Sequence, residues 1–175
     1  MSNKIIKTPR GTAIWPKLNE PDTKFNANGQ FHTKLALDGD DPEVKAFVEM
    51  LTRARDEEYD AQYARLVEEK KAARAKELKK ADVIKAEVDE ETGDETGRLL
   101  ITVKMTHKVK SKKTGKEITL RPDYFNAKRE QLKKPPTIGG GSLLRCFVEL
   151  NPYLRDTDKT VGVSLRLNAV QIIKL

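Results

Sequence analysis

Cysteine is almost missing from this sequence: Cys146 is the only one in 175 residues. That excludes an internal disulfide and a thiolate metal cluster, and two histidines, His32 and His107, leave little for a zinc site. Long apolar runs are lacking as well. The opening MSNKIIKTPRG carries no stretch fit for a signal peptide, and nothing later approaches the ~20 apolar residues of a membrane span. These absences set the expectation of a cytoplasmic protein with no membrane partner. Nor do a nucleophile, a base and an orienting group fall at recognisable spacing, so neither an enzyme nor a cofactor is expected. The glycine run Ile138-Gly139-Gly140-Gly141-Ser142 lacks the lysine and following helix of a phosphate-binding loop, and reads instead as a hinge into the next strand. The acidic segment Asp89 to Glu95 has no fixed ligand spacing and reads as a solvated loop.

Charge is what the chain has in abundance. Lys and Arg number 34 against 27 Asp and Glu, a net charge of +7, which suits a polyanionic partner. The length favours a single domain spanning 1–175. Two short strands, TPRGTAIW and QFHTKLAL, lie either side of a turn-rich loop. DGDDPEV starts a helix, with Asp40 or Asp41 as N-cap and Pro42 in the first turn, and Val44, Phe47, Val48, Leu51 and Ala54 form its core-facing stripe. Beyond Tyr63 the pattern turns polar, and that part of a helical insertion of about 41–88 is expected to project into solvent.

From Arg98 the period becomes two. Leu99, Ile101, Val103, Met105, His107 and Val109 share the inward parity, and Thr102, Lys104, Thr106, Lys108 and Lys110 the outward one. A basic hairpin of about 99–121 follows, with Gly115 at its tip, Ile118 and Leu120 returning on the core side, and Arg121 facing out. Residues 122–142 read as a long polar connection. Leu144, Cys146, Val148 and Leu150 then point inward, opposite Leu143, Arg145, Phe147 and Glu149, so Cys146 is expected to be an inert buried thiol. In the last strand the apolar phase flips between Leu167 and Val170, the mark of a bulge. The expected fold is mainly β with an inserted α-helix: an OB-fold, a five-stranded, partly open Greek-key barrel.

Single strands are bound by cations that track phosphates and by flat side chains on which bases stack, both held on a rigid sheet. The outward parity supplies Lys34, Lys104, Thr106, Lys108, Arg145 and Arg166, and the hairpin adds Lys110, Lys112 and Arg121. Phe147 and Tyr153 are the rings placed for stacking; Trp15 is open between packing and stacking, and Phe31 belongs with the core set. These twelve positions, Phe31 excluded, form the candidate DNA-binding set. Charge alone leaves duplex DNA and RNA open as ligands, and the charged helix leaves open a protein-interaction module or self-association.

Several short stretches resemble the single-stranded DNA-binding proteins of short-tailed bacteriophage replication systems. They are Gly11-Thr12-Ala13, Pro21-Asp22, Asp41-Pro42, Lys112-Lys113-Thr114, Ile138 to Ser142 with the ending Pro152-Tyr153, and Val161-Gly162. The resemblance covers most of the chain except the charged helix. It implies an OB-fold protein that coats single strands during phage DNA replication and recombination in the infected bacterial cytoplasm, with family DNA contacts matching Lys104 and Tyr153. It also implies an acidic C-terminal tail, ending in an aromatic residue, that competes with DNA and recruits replication proteins. The present sequence closes on IIKL, so tail-mediated dimerisation and partner binding are not carried over. Leu143 and Phe147 stand where some relatives are basic, which shifts the balance from Coulombic attraction toward stacking.

Overall fold

Alternating apolar and polar side chains along five long strands give each strand one face to bury, and the structure, a computed structural model describing residues 4–24 and 26–175, joins those faces around one core. The strands are β2 (Gly11–Asp22), β3 (Gln30–Asp38), β6 (Glu95–Thr106), β10 (Leu143–Arg155) and β11 (Thr160–Lys174). Their pairings run in a circuit, β10-β2-β3-β6-β11 and back to β10. Two seams in it are short. Leu143 and Leu144 of β10 meet Thr12 and Gly11 of β2, and β6 meets β11, its parallel neighbour, at Lys104 and Arg166.

Phe31, Leu35, Leu37, Val103, Leu144, Val148 and Leu167 are fully buried inside the circuit, together with Val44, Phe47 and Leu51 from α1 (Pro42–Glu68). Asp41 caps that helix by accepting a hydrogen bond from the Glu43 amide, and Pro42 occupies the first turn. Cys146 is wholly buried, and burial pushes its thiol up to about 12. Phe31 touches the edge of the His107 ring and lies beneath the Arg121 guanidinium. Phe31→Ala therefore removes a ring from the centre of the core and is expected to cost about 3–5 kcal/mol, measurable by denaturant unfolding.

The glycine run does act as a turn. Gly141, at φ 90°, donates its amide to Ala13 O, Ala13 returns a bond to Ser142 O, and β10 is thereby led against β2. The phase flip in β11 is a bulge: Phe147 pairs with Ala169 and Val148 with Leu167, leaving Asn168 as the extra residue.

Four expectations need correction. Helix ends at Glu68; α2 (Ala72–Lys76), β4 (Lys79–Lys80) and β5 (Lys85–Val88) fill the remainder of the insertion. The end of α1 does not project freely, because Leu66, Ala75 and Leu78 bury themselves against Val161 in a second small cluster. The long strand after Arg98 stops at Thr106. There the His107 and Lys108 amides turn to Gly29 O and Asn28 O, and β7 (Lys108–Lys110) pairs only with β8 (Glu117–Thr119), leaving Ile118 exposed and not on the core side. Finally, the polar connection contains β9 (Asp123–Phe125), whose Tyr124 is buried and donates its hydroxyl to Leu18 O, and the N-terminus supplies an edge strand, β1 (Ile5–Lys7), against β10.

Candidate nucleic-acid interface

Register decides which outward side chains are neighbours, because residues directly opposite in a ladder point to the same face. Lys17 of β2 stands opposite His32 of β3, His32 opposite Lys104 of β6, and Lys104 opposite Arg166 of β11. Strands lie about 4.8 Å apart, so this is a continuous basic row laid across four strands. Ile14, Lys34 and Thr102 form the adjacent row, and Gln30 pairs with Thr106 on the other side.

Three depressions follow the rows and share residues. The first, of 280 Å³, is lined by Lys34, Thr102, Lys104 and Tyr153 and walled by Asp82 to Lys85. Lys104 carries over into the second, of 450 Å³, with Thr106, Arg166 and Val109 of the hairpin. Arg166 carries over into the third, of 240 Å³, with Arg121, Glu149 and Asn168. The result is one trough with Tyr153 at one end, flanked by a hairpin whose Lys108, Lys110, Lys112, Lys113 and Lys116 are all exposed.

Three carboxylates border the trough: Asp82 in the wall of the first depression, Glu149 in the third, and Asp22 beside His32. His32 Nε2 donates to Asp22 Oδ2 at 3.1 Å, while the Lys24 amide and that histidine hold the Asp22 carboxyl below its usual range. Glu149 lies 3.8 Å from Arg166. Near Tyr153, the β10–β11 turn is stapled by Arg155, whose guanidinium holds the Asp158 carboxyl down at about 2.

Trp15 sits on a bulge, where Trp15 and Pro16 together oppose Thr33 between the Ile14–Lys34 and Lys17–His32 pairs. Its backbone takes φ 49°, a costly conformation for a bulky residue, and its side chain is 83% exposed. A tryptophan lifted into solvent on the strand that carries Lys17 offers an open ring for stacking.

Of the twelve expected site residues, Lys34, Lys104, Thr106, Arg121, Arg166 and Tyr153 line the trough, and Lys108, Lys110 and Lys112 belong to the hairpin beside it. Trp15 lies on the β2 bulge opposite Thr33, between the Ile14–Lys34 and Lys17–His32 pairs, and lines none of the three depressions. Arg145 and Phe147 are not brought into it. The Arg145 side chain is only 14% exposed and reaches back to Glu43 at the start of α1, at 3.3 Å, so its outward placement is corrected. Phe147 packs edge-to-face with Phe125 at 6.4 Å, beyond the third depression. Lys17 and His32 were missed as site residues. Pro16 ends the readable alternation of the first strand and the bulge resets its parity, which hides Lys17; the outward parity of His32 was the one usable signal.

Among the described residues no three His, Cys, Asp or Glu side chains group as a metal site, and no helix is long and apolar enough to cross a membrane. Comparison with known proteins agrees with a binding surface. The family model described as single-stranded DNA-binding protein, bacteriophage T7, matches residues 11–175. A single-stranded DNA-binding protein of Enterobacteria phage T3 is 28% identical over 183 residues, spanning 98% of this chain and 76% of that protein. Among solved structures, gp2.5, a single-stranded DNA-binding protein encoded by bacteriophage T7, shares the fold at a TM-score of 0.77 and 22% identity, covering 99% of this chain and 88% of its own. The single-stranded DNA-binding protein from bacteriophage Enc34, solved in complex with single-stranded DNA, matches at 0.58 and 18% identity, covering 98% and 86%. With a family match over nearly its whole length, the chain belongs to the phage single-stranded DNA-binding proteins related to that of bacteriophage T7, a family of binders and not of enzymes.

Proposed function

We propose that this protein binds single-stranded DNA without sequence preference along the trough, coating strands exposed during phage DNA replication and recombination in the cytoplasm of the infected host. The observation that carries the reading is the row Lys17, His32, Lys104 and Arg166, whose Lys104 shares the first depression with Tyr153. Cations spaced across strands meet phosphates, and rings stack on whichever base lies above them, so affinity needs no base-edge reading. The circuit of five strands, with β11 parallel to β6 and antiparallel to β10, supports an OB-type barrel, and its short seams support a partly open one. Lysines of the hairpin close over the bound strand from one side. The helical insertion is a weaker rival as working surface, since most of its large apolar side chains pack inside the chain and only Tyr63, Val67 and Val88 stay exposed.

The test is competition between oligothymidylate, duplex DNA and RNA at matched salt, read by Trp15 fluorescence. The expected outcome is preferential binding of the single strand, quenching of the exposed indole, and a log-log salt slope of about −0.7 for each phosphate neutralised. Affinity for oligothymidylate weaker than micromolar in low salt, or a preference for duplex, would overturn the proposal.

A further inference from the structure

A fourth depression, of 310 Å³, opens between Phe125 and Phe147, with Ala169 at its floor and Ile5 at its lip. Both phenylalanine rings are half-buried, and Ile5 is 44% exposed on the edge strand. The rings meet edge-to-face and leave an apolar slot about twice the size of the ~150 Å³ cavity that accepts benzene. The slot is continuous with the trough. Asn168, the extra residue of the β11 bulge, lines both the third depression and this one. Phe147 also shares its face of β10 with Tyr153, six residues away, which is about 20 Å of strand.

We infer that this slot is a terminal base-accepting subsite of the same single-strand path, an inference that rests on the reading of the trough above. A nucleobase fits the chemistry: one flat face against a phenylalanine ring whose neighbour meets it edge-on, and a polar edge directed to the Asn168 carboxamide at the mouth. The rim offers two cations to the attached phosphate against one carboxylate, Asp123. Lys7 stands opposite Phe147 in the ladder, hence on the same face, and Arg129 lines the slot. Phe147 thus enters the binding path as its far anchor and not beside Lys104, and Tyr153 and Phe147 mark the two ends of the occupied strand.

Oligothymidylates of about 4 to about 16 nucleotides, the span of known single-domain site sizes, test this by length. The parent chain is expected to gain affinity in steps until the strand reaches from Tyr153 to Phe147. Phe147→Ala removes one anchor. Ile5→Glu, at an exposed position that leaves packing alone, puts a carboxylate at the lip. Each should lower affinity for the long strand about tenfold and leave the shortest binding strand within about twofold, with an unchanged thermal transition for Ile5→Glu. Equal losses at every length, or no loss at the longest, would overturn the subsite while leaving the trough intact. So would a drop in molecular mass by light scattering with unchanged DNA affinity, which would assign the slot to a second copy. Failure of the parent chain to bind any length would instead sink the trough reading and the subsite together.

Discussion

Lys104→Glu is expected to weaken binding to oligothymidylate by about 10- to 100-fold at low salt and to make the salt slope shallower by at least about 0.7. Lys104 is the residue at which the path is narrowest in alternatives. It stands between His32 and Arg166 in the basic row, and it alone lines both of the first two depressions with its charge. Reversal there deletes one phosphate contact and sets a carboxylate between the two neighbours, so the strand meets repulsion at the middle of its course. Lys104 is exposed on the outer face of β6, and the thermal transition should stay at the parent value. Lys45→Glu supplies the control, since it makes the same change in net charge from an exposed position on α1. If both substitutions weaken binding equally, affinity comes from the overall field and not from the row.

The row itself shows where sequence reading succeeds and where it stops. Period-two parity places Ile101, Val103 and Met105 inside and Thr102 and Lys104 outside, and the flip before Val170 correctly locates a bulge at Asn168. Long strands are legible because their burial pattern repeats. The strands β1, β4 and β9 are short, and whether such a segment pairs depends on the free edge of β10 or β11, which lies far away in sequence. Parity also separates inside from outside without saying which outside. Arg145 and Tyr153 share one face of β10, yet one end of that face is covered by the start of α1 and the other opens on the trough. At Trp15 and Pro16 the local pattern breaks, and with it the view of Lys17. The sites most in need of three dimensions are thus those where a strand bends, is capped, or finds a partner across the fold.

Tyr153→Ala is expected to cost about 5- to 100-fold in affinity with no change in salt slope, because the ring offers a stacking surface and no charge. That separates it from Lys104→Glu on the same binding curve. Its position points to a second residue. Tyr153 pairs with Gly162 of β11, and its ring lies flat enough on that glycine that an added Cβ would come within 2.6 Å of the hydroxyl oxygen and 2.8 Å of Cζ, with the Ala81 side chain also close at 3.2 Å. Gly162 is therefore a positioning residue: the missing side chain is what lets the ring rest against the sheet at the mouth of the first depression. Gly162→Ala should displace the ring and reproduce much of the loss seen with Tyr153→Ala. In the double variant the alanine at 162 has nothing to displace, so it should add less than about twofold, a non-additivity that contacting residues show and distant ones do not. Additive losses would place the effect in the β10–β11 backbone instead, and the thermal transition of Gly162→Ala would then fall in either background.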